Sequence, residues 1–176
     1  MFAKAKDGTN KVYIALFTCC VTCAVHLELV EDLSAATFLR CLRRFASRRG
    51  MPKIMVSDNA KTFKAAKGIL RGLFRSEEVK NCLISKGIDW RFNLERAPWW
   101  GGLFERLIGL AKSCLRKVLG RARLTFDELR TVLVEVEATL NTRPLTYQYD
   151  EVSAEVLTPS HLMHGRRITS LPDVHG

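Results

Sequence analysis

Two strand-type segments stand close together near the start of the chain, and the apolar segments after them alternate between helix and strand periodicity. Lys11 to Cys20 is rich in Val, Tyr, Ile, Leu and Phe and too short for a helix, so it reads as a buried strand. Ala24 to Val30 sets Val25, Leu27 and Leu29 against His26 and Glu28, the period of two of a strand with one polar face. The two strands predict a hairpin, preceded by the turn signal Lys6-Asp-Gly-Thr-Asn10. Ser34 then caps a helix that reaches about Arg48, with Ala35, Phe38, Leu39, Leu42, Phe45 and Ala46 on one stripe and arginines off it. Gly50-Met-Pro52 ends that helix.

The same reading continues to the end of the chain. Lys53–Ser57 is a short apolar strand, followed by a polar turn at Ser57-Asp58-Asn59. Helices are expected over Lys61–Arg75 and Ser76–Lys86, and a strand over Ile88–Phe92. Arg96–Gly102 reads as a loop with aromatic residues beside glycines. Leu103–Leu119 predicts a helix with Leu103, Leu107, Leu110, Ala111, Cys114, Leu115 and Val118 inward. Thr125-Phe-Asp-Glu128 fits a capping box. It opens a helix with Leu129, Val132, Leu133, Val136 and Leu140 inward, and the chain from Tyr147 reads as irregular. The order strand, strand, helix, strand, helix, strand, helix, helix is an α/β pattern with a mixed sheet and helices on at least one face.

At 176 residues the chain has room for one domain, and it can bury a core without disulfides or a structural metal. No apolar run is long enough to cross a membrane, and the first residues do not read as a signal peptide. The six cysteines are therefore expected as reduced thiols in an intracellular compartment. Cys20-Val-Thr-Cys23 and His161-Leu-Met-His164 lie too far apart for a zinc finger, and Cys20 and Cys23 are placed in a strand. Apolar packing of small thiols is the better reading of them.

Lys and Arg number 28 against 18 for Asp and Glu, a balance of +10 that favours an acidic partner, nucleic acid first. Eleven bases fall between Arg40 and Arg75, with one acid among them, Asp58. Asp58 follows a strand, where open α/β sheets place their sites. Glu105 is expected in the first turn of its helix. Each acid has a plain structural alternative, a cap or turn for Asp58 and the helix dipole for Glu105. As a pair among bases they suit Mg²⁺ and phosphate oxygens. Lys112 lies seven residues after Glu105 and Arg116 four further on, so both fall on roughly the same face as the carboxylate.

Several segments in this order resemble the integrase core of BEL/Pao-type retrotransposons. They are Lys11-Val-Tyr-Ile-Ala-Leu-Phe-Thr-Cys19, Ala24-Val-His-Leu-Glu-Leu-Val30, Ser57-Asp-Asn-Ala-Lys-Thr-Phe63 and Ala97-Pro-Trp-Trp-Gly-Gly-Leu-Phe-Glu105. Leu140-Asn-Thr-Arg-Pro-Leu145 and Leu157-Thr-Pro-Ser-His-Leu-Met-His-Gly-Arg-Arg167 extend the match. The resemblance implies a ribonuclease H-like mixed sheet flanked by helices, with the first strand largely missing. It also implies 3′-end processing and strand transfer of element DNA into target DNA. Asp58 and Glu105 match the second and third acids of a D, D, E triad that holds Mg²⁺ or Mn²⁺. Lys112, Arg116, Lys61 and Asn59 are the expected nucleic-acid contacts.

The family's first acid lies upstream of the turn at Lys6–Asn10, and its role is not transferred to Asp7, which sits in that turn. The expected division is a core over 1–146 and a linker over 147–176 toward a C-terminal domain. The expected partners are DNA and further copies of the chain, with no membrane, and the expected place of action is the nucleus. A catalytically inactive relic, or a domesticated module for DNA binding or self-association, is the alternative. An RNA-cleaving member of the same fold fits the Pro98–Glu105 segment less well.

Overall fold

The computed structural model describes residues 2–4, 11–57, 72–73, 75–92, 98–120, 124–145 and 156–166. Strands β1 (Phe2–Lys4), β2 (Lys11–Thr18) and β3 (Val25–Val30) form an antiparallel sheet in that order. The hairpin register pairs Tyr13 with Val30 and Thr18 with Val25. In β1, Phe2 lies opposite Tyr13 and Lys4 opposite Lys11. Helix α1 (Ala35–Arg49) follows, capped by the Ser34 side chain, which accepts from the Thr37 N–H, and ended by Gly50 at a φ of 88°. That φ lies where an L side chain is disfavoured, so the glycine sets the end of the helix.

Strands β4 (Ile54–Ser57) and β5 (Asp89–Phe92) form a parallel pair. A parallel pair needs a crossover, and helix α2 (Glu77–Ser85) lies in it. Most of the expected Lys61–Arg75 helix lies outside the described residues. The strand over Lys53–Ser57, expected to be buried, is only partly so: Ile54 is exposed, and among the described residues β4 pairs along one edge only. The Trp90 indole N–H donates to Ser57 Oγ at 3.2 Å and its ring meets Phe38 of α1 edge-on, which ties the carboxyl end of β4 to its neighbours.

Helices α3 (Pro98–Leu119) and α4 (Phe126–Asn141) cover one face of the antiparallel sheet. Val12, Ile14, Val25, Leu27 and Leu29 from the sheet meet Leu107, Ala111 and Leu115 of α3 and Leu129, Leu133, Val136 and Leu140 of α4. A second core joins Leu42 of α1 to Leu73, Val79 and Leu83, with Ile88 ahead of β5. The α3 stripe is narrower than its periodicity suggests. Leu110 is 40% exposed because it lies about 100° round the helix from the stripe's centre, and Val118 is 56% exposed beyond Leu115, the last buried member.

Three local expectations are corrected. Pro98–Gly102, read as a loop, forms the first residues of α3, since proline suits a first helical turn, where its missing N–H costs no bond. Cys20 and Cys23, placed in a strand, lie in the turn between β2 and β3, which the Cys19 N–H closes by donating to the Ala24 carbonyl at 2.9 Å. The C-terminal part, read as irregular, contains helix α5 (Pro159–His164), opened by a capping box between Thr158 and His161.

Candidate metal and nucleic-acid interface

In a parallel pair the two carboxyl ends lie together. Ser57 pairs with Phe92, so the chain entering Asp58 and the chain leading to α3 leave the same end of the β4–β5 pair. Ligands of open α/β sheets collect at that end. Asp58, Asn59 and Lys61 themselves lie outside the described residues.

Glu105 is exposed on α3. Because the helix opens at Pro98, Glu105 is not in its first turn, which carries no acid. The dipole effect fades beyond that turn, so complementing the dipole no longer accounts for the residue. Lys112 and Arg116 fall within about 20° of Glu105 in helical angle, and the three residues run along about 16 Å of the axis. The buried stripe Leu107, Ala111, Leu115 is centred about 120° away. Arg116 is exposed and Lys112 half-buried. The packing of α3 on the sheet thus turns one carboxylate and two cations away from the core together. Among the described residues no group of three or more His, Cys, Asp or Glu is placed to hold a metal ion.

The basic character of α1 is largely consumed within the molecule. His26 and Glu28, expected on a polar face of their strand, are only 3% and 6% exposed because α1 covers them. Glu28 accepts from Arg44 Nε at 2.7 Å and from Arg48 Nη1 at 3.0 Å. His26 bridges Glu28 and Glu137, at 3.2 and 3.1 Å. Glu137 of α4 also pairs with Arg49 and accepts the Leu27 N–H at 2.7 Å. Burial works to raise the carboxyls of Glu28 and Glu137, but these hydrogen bonds and charges outweigh it and hold both below the usual range. Burial likewise opposes protonation of His26, and its two carboxylate partners raise its pKa on balance.

A related device was not legible as a function in the sequence. Among the described residues β3 is an edge strand, yet backbone groups on its open side are taken by side chains. Asn141 Oδ1 accepts the Val25 N–H at 2.7 Å and its Nδ2 donates to the Val25 carbonyl at 2.8 Å. Arg143 donates to the Cys23 carbonyl at 2.6 Å, and Glu137 takes the Leu27 N–H. The Leu140-Asn-Thr-Arg-Pro segment therefore seals a sheet edge that would otherwise pair with other chains. The available signal was a set of polar residues, Glu137, Asn141 and Arg143, closing an apolar helix.

No protein-family model and no curated protein matches the chain. Solved structures do match. The chain resembles the integrase catalytic core domain of HTLV-2 in complex with magnesium, with a TM-score of 0.63 at 19% identity, over 93% of this chain and 90% of that one. It resembles the catalytic core domain of BIV integrase with a TM-score of 0.61 at 15% identity, over 93% and 90%. A chain of the simian T-cell lymphotropic virus intasome, solved with PP2A regulatory subunit B56 gamma, matches with a TM-score of 0.66 at 19% identity. That match covers 98% of this chain and 55% of the viral one, so the present chain spans about half of it. The fold is therefore that of a retroviral-type integrase catalytic core, the ribonuclease H-like architecture expected above.

Proposed function

We propose that this chain is the catalytic core of a BEL/Pao-type retrotransposon integrase, a DNA-binding module whose chemistry is metal-dependent polynucleotidyl transfer. One observation carries the reading. On an integrase-core fold, α3 presents Glu105, Lys112 and Arg116 on one side, away from the core. Asp58 and Glu105 are the residues that would hold Mg²⁺ or Mn²⁺. Such an ion, when bound, supplies Lewis acidity and lowers the pKa of bound water. Lys112 and Arg116 bind and orient the DNA backbone through its phosphates, and Asn59 and Lys61 extend that contact. The line from Glu105 to Arg116 spans about five nucleotide steps.

In this reading the substrates are element ends and target DNA, and the chain works in the nucleus as a homo-oligomer. Residues 1–146 are the core. Residues 147–176 lead toward a further domain, with Thr158, Pro159 and Ser160 buried at the start of α5.

The reading is tested by strand transfer with an Asp-bearing segment joined ahead of residue 1 to extend β1. Element-end oligonucleotides are joined to target DNA in Mg²⁺ or Mn²⁺, and Asp58→Asn or Glu105→Gln abolishes joining while circular dichroism stays unchanged. Joining retained by either variant removes that residue from the site. DNA binding without any joining identifies the non-catalytic module instead.

A further inference from the structure

Three of the six cysteines sit in one turn. Cys19 and Cys20 are exposed and Cys23 half-exposed, so the thiols are not the packed apolar groups that the sequence suggested. The turn is closed by the Cys19 N–H bond to Ala24, and Cys23 adopts a φ of 53° within it. The Thr22 N–H donates to Cys19 Sγ at 3.5 Å, a hydrogen bond that favours the thiolate. Despite the opposing effect of burial, the Cys19 thiol lies below its ordinary value. Cys20 is pushed up by burial first and then by Cys19 and Cys23, and the turn closed between Cys19 and Ala24 contains Cys20 and Cys23. Cys41, by contrast, is buried and pushed up to about 12.

We propose that the β2–β3 turn is a peroxide-reactive thiol site, in which Cys19 is the attacking residue and a second cysteine of the same turn resolves it to a disulfide. The Cys19 thiolate attacks one oxygen of hydrogen peroxide, the O–O bond breaks, and the products are a sulfenic acid and hydroxide. The thiol of Cys20 or Cys23 then attacks the Cys19 sulfur. Its proton leaves with the sulfenic oxygen as water, and an S–S bond remains. Two electrons pass from the two sulfurs to the peroxide. Thiolate character and exposure set which cysteine reacts first; Cys19 and Cys20 are both exposed, and the Thr22 N–H bond to its Sγ sets Cys19 apart. The site borders the sealed edge of β3, since the Cys23 carbonyl is the acceptor for Arg143.

Trypsin isolates the question, because residues 12–39 contain no Lys or Arg, so cleavage after Lys11 and Arg40 gives a peptide 12–40 whose only cysteines are these three. The full reduced chain is treated with equimolar hydrogen peroxide, alkylated, digested and weighed. The expected product is peptide 12–40 with an internal disulfide and one alkylated thiol, formed at least about tenfold faster than any oxidation of Cys82 or Cys114. Cys19→Ser is expected to slow loss of the remaining turn thiols by a similar factor, with the circular dichroism spectrum unchanged. The proposal is overturned if Cys82 or Cys114 oxidises as fast, if Cys19→Ser reacts at the wild-type rate, or if Cys19 proceeds to sulfinic acid without a disulfide.

Discussion

At the scale of single residues, the heaviest structural duty falls on polar side chains that serve the backbone. Asn141 satisfies both the N–H and the carbonyl of Val25 at a buried site. Asn141→Ala leaves both unpaired, and at about 1–3 kcal/mol for each orphaned group the loss should reach about 2 kcal/mol or more in urea unfolding. The His26–Glu28–Glu137 network gives a pH signature. Glu28 and Glu137 lie below their ordinary value of 4.5 in the fold, so their contribution is present above about pH 4.5 and lost as pH falls through the depressed values. His26 lies above its ordinary 6.5, so its contribution is full below that pH and lost as pH rises through the raised value. Thermal unfolding between pH 3.5 and 9 should therefore show greatest stability from about pH 4.5 to 6.5. His26→Gln should flatten the alkaline side, and an alkaline decline that survives this substitution would count against the assignment. None of this network was legible in the sequence. The alternation of His26 and Glu28 with apolar residues looks the same whether the polar side meets water or a second helix. The arginines off the α1 stripe likewise gave no sign that Arg44, Arg48 and Arg49 turn to internal carboxylates.

At the scale of elements, periodicity and capping chemistry were close guides. The hairpin, α1 with its Ser34 cap, and α4 with its Thr125–Glu128 box all form where residue pattern and cap agree. The α4 stripe is inward as expected, with Leu129, Leu133, Val136 and Leu140 buried and Val132 packed against them. Leu133→Ala should cost about 2–5 kcal/mol, and Thr125→Ala about 1 kcal/mol, in chemical unfolding. Equal effects would show that the α4 face is not the centre of its core. The start of α3 was misread for a physical reason. Pro, Trp and Gly weigh toward a loop by propensity, yet proline suits a first helical turn and glycine is tolerated in a helix at a cost of about 1 kcal/mol each. That shift moves Glu105 from a helix terminus into the body of α3, where an exposed acid calls for another explanation. The β2–β3 turn was misplaced because small apolar thiols extend a strand pattern without marking its end.

At the scale of the whole molecule, fold and charge together define what the chain can hold. The excess of 28 bases over 18 acids was plain in the sequence, but not its division between internal pairs and outward cations. Because phosphate contacts release counterions, Lys112→Ala and Arg116→Ala should each reduce the slope of log affinity against log salt for duplex DNA by about 0.9. Arg44→Ala should lower stability and leave that slope unchanged, because its guanidinium is held by Glu28. The sequence motifs pointed to the fold that the solved integrase cores share. They gave no spatial relation between Ser57, where β4 ends, and Glu105 of α3, because a crossover separates the two in the chain.

The proposed site requires the carboxylates of Asp58 and Glu105 to share one divalent cation. The direct measurement is Mn²⁺-induced broadening of backbone amide resonances in the intact chain, at substoichiometric metal and with Glu105→Gln as the comparison. Ser57 and the amides flanking Glu105 are expected to broaden together, and both effects to vanish in the variant. Broadening that gathers instead at the exposed acids Asp127 and Glu128, or that persists at Ser57 in Glu105→Gln, would contradict a shared cation.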